Sequence, residues 1–447
     1  MIRAVRHISH RRAGAIGRAT DVDDAHRGRG RFAARGGLAL MALVLGLGSF
    51  VGLPAAAAID AGPVLRGDGG SAQPLNEVLR NKASTGSGRR ALGSALPQLP
   101  PAPPSKSRRT ISVDTVSELK RALSHLRGGD RIVVEAGTYP TQHTIKRKRL
   151  TSPAHIVFKP GAYLTGGPRS TGNYVGFAVT ESSNIWIRGG NFSDPEGDAI
   201  KINSSTNIVF NGAVAHDSGD SCIMVAATSE DNHAIWLINV ETYGCGNSSG
   251  DLATSDSYPD GYWRKGTHGI YYGSSWNGYK TYGGGIVNLY GHDQPNGSIL
   301  QIGDGARGLV VTGATLVRAV GDPTVFAGNA LNFWGEYNEN VTWVNMLVYR
   351  ANNHVLQATT STEGAGSAIR SLMHGAIGRS LFLQSSNGAP AIGQTWNADP
   401  LLGPGGVPSA VSPAVGKADL DYLWPTDRTG RARTARTLGA FEVRPVR

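Results

Sequence analysis

Short apolar runs separated by Gly, Asn and Asp recur along the chain at a near-constant interval. SSNIWIRGG at 182–190 returns as STNIVFNGA at 205–213, which sets Asn184 and Asn207 23 residues apart. Ala234-Ile235-Trp236-Leu237, Gly308-Leu309-Val310-Val311 and the stretch from Glu339 to Trp343 are later versions of the same unit, with insertions between them. A second set interleaves with the first: GDAIKI at 197–202, GDSCIMV at 219–225, HGIYYG at 268–273, ILQIGDG at 299–305 and ALNFWG at 330–335. Strands of four or five residues repeating at this period, with small polar residues at the corners, predict the coils of a β-solenoid. The recurrent Asn positions fit stacked corner ladders. The expected fold is all-β, a right-handed parallel β-helix.

One helical pattern precedes the repeats. After the strand TISV, Thr115-Val116-Ser117-Glu118 has the form of a capping box, and Val116, Leu119, Leu123 and Leu126 share one face up to Gly128-Gly129. The strand Ile132-Val133-Val134 follows. An amphipathic helix at this place covers the open end of the first coil, so it reads as an N-terminal capping helix. At the other end, the Arg-rich run through GAFE reads as a polar cover for the last coil.

Composition and charge divide the chain further. Residues 1–35 carry nine Arg and no Lys, 36–53 are apolar, and Ala56-Ala57-Ala58 offers a small-residue cleavage site, so 1–58 reads as a secretory signal peptide. The apolar run falls short of the roughly 20 residues of a comfortable membrane span. Residues 59–109 are rich in Pro, Gly, Ser and Arg and read as an extended linker, which leaves 110–447 as the β-helix domain with its C-terminal cap. The net charge of +11 belongs to the first two segments, because 110–447 holds 27 basic and 27 acidic side chains. No nucleic-acid footprint follows from it. The protein is expected to be secreted or envelope-associated, monomeric, and free of stable membrane insertion once the signal is removed. In an exported chain the two cysteines, Cys222 and Cys245, are most simply one disulfide, and they lie one coil apart by count.

Taken together, GDAIKI, GDSCI, the Cys-Gly at 245–246 and THGIYYGS resemble the corresponding stretch of polygalacturonase-type glycoside hydrolases, members of the pectin-lyase-like superfamily. The detailed resemblance covers about 80 residues. It implies Asp220 as general acid, Asp198 as one of the carboxylates that activate water, His268 as a supporting imidazole, and a disulfide between Cys222 and Cys245. Inverting hydrolysis uses one protonated carboxyl and one carboxylate across the sugar, with room for water. Two departures stand out: Ser221 replaces the family's second adjacent Asp, and no Arg-x-Lys run follows His268. Gly-Asp before an apolar strand is also an ordinary solenoid corner. Asp198 shares parity with Ile200 and Ile202, which would turn it inward if the strand began early.

Aromatic residues crowd the region from Tyr258 to Tyr290, nine of the chain's 32, a pattern suited to stacking on sugars. Lys201, Arg264, Lys265, Tyr271, Tyr272 and Trp276 are the expected substrate contacts. The partner is therefore a polysaccharide or other glycan, and glycoside hydrolysis by acid/base carboxylates is the leading expectation. The enzymatic alternative is a polysaccharide lyase acting by β-elimination on a uronate-containing glycan, with Lys201, Arg264, Lys265, His268 or Tyr272 as base. A calcium ion enters only with that alternative; otherwise no cofactor or metal is expected. A non-catalytic glycan-binding envelope protein is the third reading.

Overall fold

The computed structural model describes residues 95–167, 174–246, 267–274, 278–320, 328–334, 338–351 and 399–443, together with short strands at 356–359, 367–369, 372–374 and 395–396. Residues 1–94, where a signal peptide and most of a linker are expected, lie outside the described residues. Each coil contributes one strand to each of three sheets, called A, B and C in chain order. In one coil these are Ser183–Arg188, Asn191–Ser193 and Ile200–Asn203; in the next they are Thr206–Asn211, Val214–His216 and Ile223–Ala226. Successive coils pair in parallel and in register, for example Ile200 with Ile223, Ile223 with Ile270, and Ile270 with Leu300. The expected right-handed parallel β-helix is the fold observed, and both sets of repeats fall where the period put them, on sheets A and C.

Alternation makes the core. Along Ile200–Asn203, Ile200 and Ile202 point inward and are fully buried while Lys201 faces out. Phe158, Phe177, Phe192 and Phe210 come from three successive coils and meet edge-to-face, at centroid separations between 5.5 and 6.4 Å. The corners explain the recurrent Asn and Gly. Asn239, Asn288 and Asn345 adopt left-handed backbone at the A-to-B corner, where other coils place Gly212 and Gly313. Asn239 Nδ2 donates to Asn211 Oδ1 at 3.0 Å, Asn288 Nδ2 to Asn239 Oδ1 at 2.9 Å, and at the C-to-A corner Asn207 Nδ2 donates to Asn184 Oδ1 at 2.9 Å.

Helix α1, Val116–Ser124, buries Leu119, Ala122 and Leu123 against the first coils, and the Thr115 side chain accepts from the Glu118 N–H. Two segments depart from expectation. Order was expected from Thr110, yet the proline-rich residues from Ala95 onward already lie on the outer face of sheet A. There Trp186 Nε1 donates to Pro101 O at 3.0 Å, and Leu99 packs with Trp186 and Trp424 against Val209, Trp236, Ile238 and Val287. Outward residues this apolar need a cover, which a run of prolines supplies without leaving many backbone donors unpaired. The C-terminal segment 399–443 runs along the flank of the coils, covering Tyr290, Val317, Leu347 and Tyr349. Its buried Arg433 donates to Asn288 Oδ1, Thr437 O and Gly439 O, which ties the segment to the Asn corner.

Candidate functional site

The residues singled out in the sequence gather where the B-to-C turns enter sheet C. The register that pairs Ile200, Ile223, Ile270 and Leu300 also stacks the positions two residues earlier: Asp198, Ser221, His268 and Ser298. All four are buried, at 1% exposure or less. Backbone bonds carry the stack, with Ala199 N donating to Ser221 O, Cys222 N to His268 O and Gly269 N to Ser298 O. The stack is buried in the turns just before the strands of sheet C begin, and two of its members touch outward residues: Asp198 pairs with Lys201, and the His268 ring lies 6.2 Å from that of Tyr271.

Within it, Asp198 keeps its carboxylate beneath the surface. Lys201 reaches back from the next outward position, Nζ to Oδ2 at 2.9 Å, and Oδ1 is buried without a partner. The charge on Asp198 holds the Lys201 ammonium above the usual lysine value, against the opposing pull of burial, and Asp220 adds to the effect. Lys201 thus stays a cation, and about a quarter of its side chain is exposed, 26%. Asp220, half-buried, sits one turn position before Ser221; its backbone is tied down by Gly246 N and Ser218 Oγ, both donating to its carbonyl.

His268 is not a surface acid or base. It is 1% exposed, its main-chain N–H donates to Ser221 Oγ, and its Nδ1 accepts from the Ser298 N–H at 3.1 Å. Burial lowers its imidazole to about 3, so the ring is neutral. Expected as a supporting imidazole, the ring is a neutral, buried one tied to the neighbouring coils. Tyr272 is corrected as well: it is an inward residue with no exposure, its hydroxyl donating to Ile235 O and Gly283 O, so it is core and not a sugar contact. Tyr271 faces outward, with its hydroxyl on Ser274 O at 2.8 Å and its ring against Gly303, where a side chain would collide with it. Burial, with Asp304 nearby, raises its phenol, so it does not serve as a base. Arg264, Lys265 and Trp276 lie outside the described residues.

Cys222 and Cys245 form the expected disulfide, with Cα atoms 5.3 Å apart. Both are fully buried, and they join the turn of one coil to that of the next directly beside Asp220. Calcium, which the elimination alternative brings with it, does not fit this set. The Lys201 ammonium already supplies a positive charge on Asp198 Oδ2, and among the described residues no three His, Cys, Asp or Glu side chains converge on a metal position.

Through the register of sheet C the outward positions form one column: Thr144, Ala178, Lys201, Met224, Tyr271, Gln301 and Asn332. Asn332 Nδ2 donates to Gln301 Oε1 at 3.0 Å, so the later part of the column is an amide ladder. The sequence reading found Lys201 and Tyr271 but missed the Lys201–Asp198 pair and these amides. The shared i, i+3 spacing of Asp198 and Lys201 was the available signal for the pair.

No family model matches the chain, and no curated protein matches it. Solved structures do. The pectate lyase Pel9A superposes with a TM-score of 0.50 at 14% identity, over 79% of this chain and 98% of the lyase. An alginate lyase from Paenibacillus sp. str. FPU-7 matches with a TM-score of 0.44 at 17% identity, over 65% and 98% of the two chains. The chain has the right-handed parallel β-helix fold that the pectate lyase adopts.

Proposed function

We propose that the protein is a secreted polysaccharide-cleaving enzyme that works on the outer face of sheet C and acts by β-elimination on a uronate-containing glycan. One observation carries the choice of chemistry. The hydrolysis first expected needs two carboxylates at the surface, and here Asp198 is buried under Lys201 while Ser221 occupies the place of a second Asp. Elimination needs instead a cation beside the substrate carboxylate, and Lys201 is a cation held on the open face. The likeness of fold to a pectate lyase supports the same reading.

In this reaction a base removes the proton on the carbon next to the carboxylate. The electron pair forms the ring double bond, the bond to the glycosidic oxygen breaks, and that oxygen takes up a proton. Lys201 binds the carboxylate and stabilises the charge that develops on it. Tyr271 and Asn332 supply the surface along which the glycan lies. With His268 and Tyr272 buried, Arg264 and Lys265 are the remaining positions for the base.

The test is the full-length protein with polygalacturonate, alginate and chondroitin, following both the ultraviolet absorbance of unsaturated products and new reducing ends. Unsaturated products from wild type, and their loss in Lys201→Met, are expected. Reducing ends without unsaturation would return the assignment to hydrolysis, and neither signal would make the protein a non-catalytic binder.

A further inference from the structure

A second cluster lies on the outer face of sheet B, away from Lys201. The parallel register there runs one outward column through His216, Tyr243, His292, Val317 and Tyr349. The first three rings stack, with centroids 4.6 and 4.9 Å apart and planes within 7° and 18°. His216 Nδ1 meets Asp217 Oδ2 at 2.7 Å and Nε2 meets Asn191 Oδ1 at 2.9 Å. His292 Nδ1 meets Asp293 Oδ2 at 2.7 Å and Nε2 meets Glu241 Oε1 at 3.2 Å. The Tyr243 hydroxyl, between them, has no partner among the described residues.

Beside the rings runs a column of left-handed backbone positions: Asp194, Asp217, Gly244, Asp293 and Arg318. Gly244 breaks the row of carboxylates. A Cβ there would lie 2.3 Å from Asp217 Oδ1, so the Asp217 carboxyl occupies the space at Tyr243's coil that a side chain would fill. With coils about 4.8 Å apart, the Asp217 and Asp293 backbones stand roughly 10 Å apart across that coil.

The column changes character where the C-terminal segment ends. Tyr290 and Val317 are covered and nearly inaccessible, at 5% and 2% exposure, whereas the Asp217 and Asp293 side chains are 46% and 44% exposed. Arg428 marks the border, lying over the Tyr290 ring and bonded to Glu241. The covered half is apolar; the open half consists of rings, carboxylates and the Tyr243 hydroxyl.

We propose that the open part of sheet B is a second sugar-binding site that takes a neutral or amino sugar, whose ring hydroxyls or amine donate to Asp217 and Asp293 while Tyr243 donates to a sugar oxygen. Ionised carboxylates only accept hydrogen bonds, so the fitting partner is rich in donors. Arg318 holds Asp293 ionised, lowering it to about 2. Burial and the charges of Asp217, Glu241 and Asp194 raise the Tyr243 phenol, which keeps it a donor. A uronate's carboxylate also only accepts, so it finds no partner in Asp217 or Asp293. The site is independent of the elimination proposed for sheet C.

The experiment is calorimetric titration of the full-length protein with cellohexaose, xylohexaose, chitosan hexasaccharide and hexagalacturonate. Binding of at least one of the first three is expected, weakened about threefold to tenfold by Tyr243→Phe and about tenfold or more by Asp217→Asn. Lys201→Met should leave it unchanged, which separates this site from the face of sheet C. Binding of chitosan alone assigns the amine as the recognised group; binding of a neutral hexasaccharide assigns the hydroxyls. The proposal is overturned if none of the three binds, if neither variant weakens binding, or if Tyr243→Phe weakens binding of hexagalacturonate instead. Tyr243→Phe removes one oxygen that has no partner among the described residues and should keep the wild-type urea midpoint, so a folding defect in Asp217→Asn does not decide the outcome.

Discussion

His268→Asn should make the protein less sensitive to acid. The wild-type imidazole is held at about 3 by burial, against 6.5 for an exposed one. As pH falls below 6.5 the unfolded chain takes up a proton on His268 and the folded chain does not, so stability drops until the pH reaches the folded value. At about 1.4 kcal/mol per unit, the loss between about pH 7 and about pH 4 is roughly 3 kcal/mol from this residue alone. Asn keeps an acceptor for the Ser298 N–H but does not titrate. At neutral pH the variant should be less stable than wild type by about 1–3 kcal/mol, from lost packing around the ring. Between the two pH values it should lose roughly 3 kcal/mol less than wild type. His143, lowered by burial to about 4, contributes to acid sensitivity in both proteins and cancels in the comparison. Urea unfolding followed by tryptophan fluorescence at each pH measures the four free energies. Equal losses in wild type and variant would refute the reasoning, because the imidazole would then be accepting its proton inside the fold.

Two further outcomes follow from the packing. Replacing Cys222 and Cys245 together with Ala opens a loop closed over 23 residues and should cost about 3 kcal/mol, read as a lower urea midpoint that reducing agent no longer shifts. Leu99→Ser should lower stability by about 1–2 kcal/mol by uncovering part of the apolar patch on sheet A, with a red shift of the tryptophan emission as the accompanying sign.

The coils were legible because their cause is local. Inward apolar residues must alternate and corners must tolerate left-handed backbone, so Asn184 and Asn207 repeat at the coil length and announce both sheet and ladder. The ladder through Asn211, Asn239 and Asn288 obeys the same physics but was hidden, since insertions stretch its steps to 28 and 49 residues. The candidate site was only half legible. Parity would have turned Asp198 inward had the strand begun early; it begins at Ile200, and Asp198 is buried instead beneath the outward Lys201, a pairing that parity does not reveal. Tyr271 and Tyr272 differ by one position and therefore face opposite sides of the sheet, a distinction that the crowd of aromatics obscured. The ring stack on sheet B was written as two His-Asp pairs, His216-Asp217 and His292-Asp293, and only the register places Tyr243 between them.

A solenoid whose coils touch only their neighbours can fray from either end, one coil at a time. The two flanking segments remove that freedom. Ala95 N donates to Asp421 O, Trp186 is bonded to Pro101, and Arg428 reaches Glu241 across 187 residues of sequence. These ties staple early coils to late ones, so the stack should melt as one cooperative body. During synthesis, the tryptophan-lined flank of sheet A cannot be fully sealed until the last part of the chain, with Trp424, has arrived.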